Sequence, residues 1–163
     1  MNTPTQQTTE AAQAASPVDA AQAGAVEALV QWFEHLTPDS VHQAHRFYAA
    51  DVRFKDPFND VTGLAAMEAI FSHMFKALIA PRFVVTGRVV QGAQCCLTWE
   101  FRFAFRSFHR GREQVILGAS HLVWDASGKV QLHRDYWDAA EELYEKLPLV
   151  GGLMRWLKRR ANR

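Results

Sequence analysis

The chain has 163 residues, of which 48% are hydrophobic and 12% aromatic, and its formal net charge is +1. This length and apolar content predict one domain with a substantial core, and the near-neutral charge argues against a nucleic-acid partner for the domain as a whole. The two cysteines, Cys95 and Cys96, are adjacent and have no third cysteine to pair with, which excludes a disulfide framework.

The first residues are rich in Thr, Gln, Ala and Ser and contain almost nothing large enough to bury. We therefore predict a disordered leader over residues 1–23. The leader lacks the basic and apolar regions of a secretory signal, and no run of about 18 apolar residues follows it. A cytoplasmic protein is the expectation.

Two helices are predicted after the leader. The pattern changes at Ala25, and apolar residues then recur at helical spacing as far as Leu36, where Thr37-Pro38 ends the helix. Asp39 or Ser40 can cap a second, short helix that runs to Tyr48.

The remaining pattern predicts one further helix and five strands. A short strand over residues 50–55 is followed by a polar turn, Phe58 to Thr62, and by a helix from Leu64 to Ile79 that Pro81 closes. The order ααβαββββ indicates an α+β domain, and the hairpin-length links indicate an antiparallel, meandering sheet. Four β-rich runs form its main part: Arg82–Val90, Gln94–Arg106, Arg112–Asp125 and Lys129–Trp137.

The last of these strands carries the most unusual side chains. Successive residues of a strand point to opposite faces, so His133, Asp135 and Trp137 share one face. An imidazole and a carboxylate beside a large aromatic ring favour a titratable pair that points into an aromatic cavity. The alternative is a His–Asp hydrogen bond that only fixes the end of the sheet.

Two neighbouring strands are predicted to form an aromatic wall and a subunit interface. In the second long strand one face is aromatic, and in the third strand both faces are apolar, so both need cover. The helices can cover one face, and a second subunit is the natural cover for the other, which predicts a homodimer. The aromatic face holds Trp99, Phe101, Phe103 and Phe105, and the face to be covered by a partner holds Leu117, Ala119, His121 and Val123.

The order of elements, the segment KDPFNDVTG (55–63) and the ending SHLVWDASGKV (120–130) resemble the nuclear transport factor 2-like superfamily. This superfamily includes ketosteroid isomerases and SnoaL-like polyketide cyclases, and the resemblance covers about residues 25–138. It implies a cone-shaped α+β fold in which helices pack on the concave side of a curved antiparallel sheet.

The resemblance also implies roles for particular residues. Asp56 stands where the isomerases have their general base, and Trp32 and Ser120 stand, by spacing, where the isomerases have the two donors of their oxyanion hole. Asp135 on the last strand resembles the carboxylate of the polyketide cyclases and limonene-epoxide hydrolases, so the chain leans towards those enzymes.

Together these features predict a cofactor-independent acid–base enzyme, an isomerase, cyclase or epoxide hydrolase, that acts on a hydrophobic small molecule. The alternative is a non-catalytic small-molecule-binding or scaffolding module of the same fold. His42 and His45 lack a third ligand at a telling spacing, so no metal site is predicted. The catalytic candidates are Asp56, His133 and Asp135, and the substrate-binding candidates are Trp32, Phe58, Trp99, Phe101, Phe103, Ser120 and Trp137.

The end of the chain has a different character from the SnoaL-like domain predicted over residues 24–147. Residues 148–163 combine an apolar stripe with five basic residues between positions 155 and 163, which predicts a basic amphipathic helix. Such a helix can fold back on its own domain or a partner subunit, or can make weak contact with an anionic membrane surface.

Overall fold

In a computed structural model of the chain, the described residues are 17–106 and 111–142, with Tyr144, Gly152, Trp156, Arg159 and Arg160. Most of the predicted leader and most of the predicted C-terminal helix lie outside these residues. In the described part, no helix is long and apolar enough to cross a bilayer.

Two long helices contact one face of a single sheet. Helix α1 spans Pro17–Glu34 and α2 spans Leu64–Ala77, and a short helix α3, Ala139–Glu142, follows the last strand. The start of α1 differs from the prediction at Ala25, because proline is favoured in the first turn of a helix and the alanines after it propagate one. The second predicted helix is a 3-10 helix, Val41–Arg46, and not an α-helix.

The sheet has six strands in the order β2-β1-β6-β5-β4-β3. Strands β3 to β6 form the predicted antiparallel meander, but β1 pairs with β6 in parallel. The predicted polar turn contains the short strand β2, which pairs with β1. The strands are β1 Tyr48–Lys55, β2 Asp60–Thr62, β3 Leu78–Gln91, β4 Gln94–Phe105, β5 Gln114–Trp124 and β6 Val130–Tyr136.

Pro81 lies within β3 and does not close α2 as predicted. Strand β3 begins at Leu78, directly after α2, and its pairing with β4 is irregular between Ile79 and Arg82. Ala80 has a φ of 47° at this irregularity. A proline is tolerated there because β3 is an edge strand and the missing N–H falls at a break in the ladder.

The inner face of the sheet carries the core, and the predicted aromatic wall is part of it. Trp99, Phe103 and Phe105 of β4 are buried together with Phe71 of α2. The outer face is more open, since Leu117 is 57% exposed and Tyr136 is 50% exposed. The α+β class and the helix-covered sheet are therefore as the sequence predicted.

Candidate active site

A cavity of about 290 Å³ lies between α2 and the inner face of the sheet. Nine aromatic side chains line it, and the substrate-binding candidates on β4 are among them. Phe58 and Trp137 meet edge to face beside it with ring centroids 5.3 Å apart, and Phe58 is 53% exposed. Five of the predicted binding residues therefore line this one space: Phe58, Trp99, Phe101, Phe103 and Trp137.

Asp135 lines the same cavity and is held by two hydrogen bonds on one oxygen. Ser120 Oγ donates to Asp135 Oδ1 at 2.5 Å, and His133 Nε2 lies 2.8 Å from the same oxygen. The sheet register explains the first bond, because Ser120 and Asp135 are direct partners across β5 and β6. Alternation along β6 explains the second, because residues two apart share a face.

His133 is almost completely buried and sits among aromatic rings. The rings of Phe33, Tyr48 and Phe54 lie 5.0–5.9 Å from its own, and the Tyr48 hydroxyl lies 2.9 Å from Nδ1. Burial, followed by the negative charge of Asp135, raises the pKa of Tyr48 well above its usual range, so the phenol stays a donor. With Nδ1 accepting from Tyr48, the hydrogen of His133 is on Nε2 and is donated to Asp135.

The position of His133 bears on the role that the sequence suggested for it. His133 does not line the large cavity, and it borders only a small recess of about 20 Å³ behind Asp135. Its ring can therefore orient Asp135 but cannot reach a molecule in the large cavity directly. A catalytic role for His133 stays a prediction, and the contacts described show it holding Asp135 in place.

Ser120 is fixed from its other side by Trp99. The indole N–H of Trp99 donates to Ser120 Oγ at 2.8 Å, while the serine hydroxyl donates onward to Asp135. Ser120 was expected to offer a donor to a ligand, but its hydrogen is already used. It borders the small recess and not the large cavity.

The second oxygen of Asp135 is left free by this arrangement. Within residues 17–106 and 111–142, no hydrogen-bond donor contacts Oδ2, and the side chain is 15% exposed. Because Asp135 lines the cavity, Oδ2 is the carboxylate oxygen that these residues leave to a bound molecule. A carboxylate oxygen in an aromatic cavity can accept a proton from a bound molecule.

Asp56 lines the cavity as well, but its carboxylate is engaged by its own turn. Oδ1 accepts from the backbone N–H groups of Phe58 at 2.7 Å and Asn59 at 2.6 Å, and the Asn59 amide lies within 3.0 Å of both oxygens. Asp56 follows the last β1–β6 pair, Lys55 with Arg134. Asp56 therefore directly follows β1, beside the neighbouring strand β6 that carries Asp135.

Trp32 lies away from the cavity that five of the other binding candidates line. Its indole N–H donates to the carbonyl oxygen of Ser40 at 3.2 Å, and the ring packs against Phe47 and Tyr48, outside the large cavity. The helix α1 points this side chain at the 3-10 helix. The buried phenol near the site comes instead from Tyr48, which sequence reasoning placed in a helix and did not assign to the site.

The comparisons with known proteins agree with this fold. The family model of the SnoaL-like domain matches residues 29–133. No curated protein sequence matches the chain.

Several solved structures share the fold at low identity. A protein described as a SnoaL-like polyketide cyclase, from Jannaschia sp. CCS1, is 15% identical with a TM-score of 0.65, over 79% of this chain and 93% of that one. An LEH-like epoxide hydrolase from M. tuberculosis is 13% identical with a TM-score of 0.63, over 88% and 96% of the two chains. A protein with a ketosteroid isomerase-like fold from Catenulispora acidiphila DSM 44928, in complex with trimethylamine, is 13% identical with a TM-score of 0.62, over 73% and 88%.

Proposed function

Because the chain belongs to the SnoaL-like domain family, we propose that it is a cofactor-independent acid–base enzyme that acts on a hydrophobic small molecule, with Asp135 as its general base. The observation that carries this proposal is the asymmetry of the Asp135 carboxylate. Oδ1 accepts from Ser120 and His133, and Oδ2 is left to a bound molecule beside the aromatic cavity. A base needs an oriented oxygen within reach of the substrate, and this arrangement supplies one.

The residues behind Asp135 keep that oxygen in place during the reaction. The bonds to Oδ1 are strongest while the carboxylate is ionised, so they favour the state that accepts a proton. When Oδ2 takes a proton from the substrate, Ser120 and His133 remain on Oδ1 and hold the resulting acid in the same orientation. The acid can then return the proton at another atom, which is the chemistry shared by isomerases and cyclases.

The cavity itself favours a small and largely apolar substrate. Its volume of about 290 Å³ lies just below the range of about 300–1,000 Å³ that is usual for ligand pockets. Aromatic walls exclude water, which strengthens the interaction between the base and its substrate. Some proteins of this fold bind small molecules, and the Catenulispora protein does so with trimethylamine.

The proposal is tested with a panel of small apolar epoxides, enones and keto esters as substrates. We expect Asp135→Asn to lower turnover by about 100-fold or more, with an unchanged circular dichroism spectrum because the replacement is isosteric. The matched control is Asp51→Asn, an exposed aspartate on β1, which should retain wild-type turnover. Full activity of Asp135→Asn would contradict the role of this carboxylate. Binding of panel members without turnover by the wild type would favour the non-catalytic module.

A further inference from the structure

Among the described residues, the charged side chains that line the cavity are all acidic. Asp56 and Asp135 are carboxylates, and among the described residues the other titratable side chain in the lining is that of His73, which is exposed on α2. Among the residues that the structure describes, no lysine or arginine lines this space. The interior therefore presents negative charge to any molecule that enters.

Three side-chain donors around the site already donate to other groups of the protein. The Trp99 N–H is donated to Ser120, and the Ser120 hydroxyl is donated to Asp135. The Trp32 N–H, which the resemblance placed in an oxyanion hole, is donated to the Ser40 carbonyl oxygen. The donors that remain, on His73 and on the Trp137 indole, lie near the exposed Phe58 or on the surface of α2. In the part of the chain that the structure describes, these two are the side-chain donors that the cavity lining leaves for a bound oxyanion.

Two carboxylates that line one cavity repel each other unless a positive charge lies near them. Aromatic faces attract a cation as well, because the ring quadrupole is negative above and below its plane. Nine aromatic rings and two carboxylates line the same 290 Å³. We infer that the cavity takes an apolar molecule that carries a positively charged nitrogen. This inference rests on the proposed function in one respect, that the cavity is the substrate site.

The arrangement of the lining suggests how such a molecule is oriented. Asp56 lies at the end of β1 in the same turn as Phe58, whose ring meets that of Trp137. A cationic nitrogen at this position would lie beside a carboxylate and two aromatic rings. The apolar body would then extend along Phe101 and Phe103 and leave Asp135 Oδ2 free to act as the base.

The test uses three probes of one shape and different charge: phenylpropylamine, phenylpropanol and phenylpropionate. At about pH 7 the first is a cation, the second is neutral and the third is an anion. Isothermal titration calorimetry should rank them in that order, with the amine at least about tenfold tighter than the anion. In the wild type, the preference is the affinity for the amine divided by the affinity for the alcohol. Asp56→Asn should reduce this affinity ratio by about threefold or more. The matched control is Asp60→Asn, an exposed carboxylate paired with Arg53 and Lys55, which should leave the ranking unchanged.

The outcomes separate this inference from the proposed function. Equal affinity for the amine and the alcohol, tighter binding of the anion, or no binding of any probe would overturn the inferred charge preference and leave the base role of Asp135 standing. Wild-type turnover by Asp135→Asn, together with a preserved preference for the amine, would overturn the proposed function and leave the ligand class standing. An Asp60→Asn variant that loses the preference as strongly as Asp56→Asn would mean that overall charge, and not the cavity, selects the amine.

Discussion

The hydroxyl of Tyr48 lies 2.9 Å from Nδ1 of His133, although the two residues are 85 positions apart in the sequence. Tyr48 opens β1 and His133 lies in the middle of β6, so the parallel pairing of these strands brings them together. Both side chains are buried. The phenol therefore fixes which nitrogen of His133 carries the hydrogen that Asp135 receives.

Tyr48→Phe should weaken catalysis through His133 and not through the substrate. The variant removes the donor to Nδ1, so the histidine is no longer held in the tautomer that donates to Asp135. We expect kcat to fall by up to about tenfold, the equivalent of one buried hydrogen bond, while KM changes little. The pH dependence of kcat/KM should also change, which a purely structural role would not produce. An unchanged pH profile would show that Tyr48 only fills space.

The ionisation of Tyr48 gives a second, independent measurement. Its pKa is raised well above the usual value of about 10, first by burial and then by Asp135. Because the folded protein holds this proton more tightly than the unfolded chain, the related stability is complete below about pH 10 and is lost as the pH rises further. An ultraviolet titration should therefore show a late tyrosine phase, coincident with alkaline unfolding, that Tyr48→Phe removes. A Tyr48 phase near pH 10 in the folded protein would contradict the buried hydrogen bond.

Asp56→Asn should affect binding more than chemistry. The sequence assigned Asp56 and Asp135 similar catalytic roles, but the Asp56 oxygens are occupied by Phe58 and Asn59. We expect Asp56→Asn to raise KM by about threefold or more with a smaller change in kcat, whereas Asp135→Asn lowers kcat. Steady-state kinetics of both variants on one substrate distinguishes the two effects. If Asp56→Asn lowers kcat as much as Asp135→Asn does, Asp56 acts as a base and this prediction is wrong.

Alternation within single strands predicted which side chains share a face of the sheet. It placed Asp135 and Trp137 on the face that lines the cavity, and it identified the aromatic wall of β4. It does not predict contacts between elements distant in the sequence. The pairing of β1 with β6 brings Tyr48 to His133 across a separation that no local pattern encodes. The neighbours of Trp32 could not be predicted because helical spacing defines a face of α1 but not which neighbour that face meets.

The outer face of the sheet leads to a prediction about assembly. Leu117 is 57% exposed and Tyr136 is 50% exposed, and Tyr136 pairs with Ala119 on β5. We expect a homodimer through this face, with about 1,600 Å² buried in total. Sedimentation velocity at micromolar concentration should show a dimer that Leu117→Lys dissociates. Val89→Lys, at a 71% exposed site on the edge strand β3, is the matched control and should stay dimeric. A monomeric wild type would refute the prediction.

Gly118 determines where the Trp99 indole lies, and through it the position of Ser120. The two residues are direct partners on β4 and β5, and a Cβ at position 118 would come within 2.6 Å of the Trp99 Cζ2 atom. Gly118→Ala must therefore displace the ring and weaken its hydrogen bond to Ser120. We expect a loss of about 1–3 kcal/mol in the free energy of unfolding, with lower turnover because Asp135 loses part of its support.

The control for this substitution is Gly24→Ala on α1, where nothing lies within 4 Å of the added Cβ. There alanine should stabilise the helix by about 0.5–1 kcal/mol and leave turnover unchanged. Chemical denaturation and the Trp fluorescence spectrum of both variants separate a general effect of the added methyl group from a specific movement of Trp99. If Gly118→Ala is as stable and as active as the wild type, with an unchanged spectrum, the indole does not need the space above Gly118. In that case the hydrogen bonds from Trp99 to Ser120 and from Ser120 to Asp135 do not contribute to turnover.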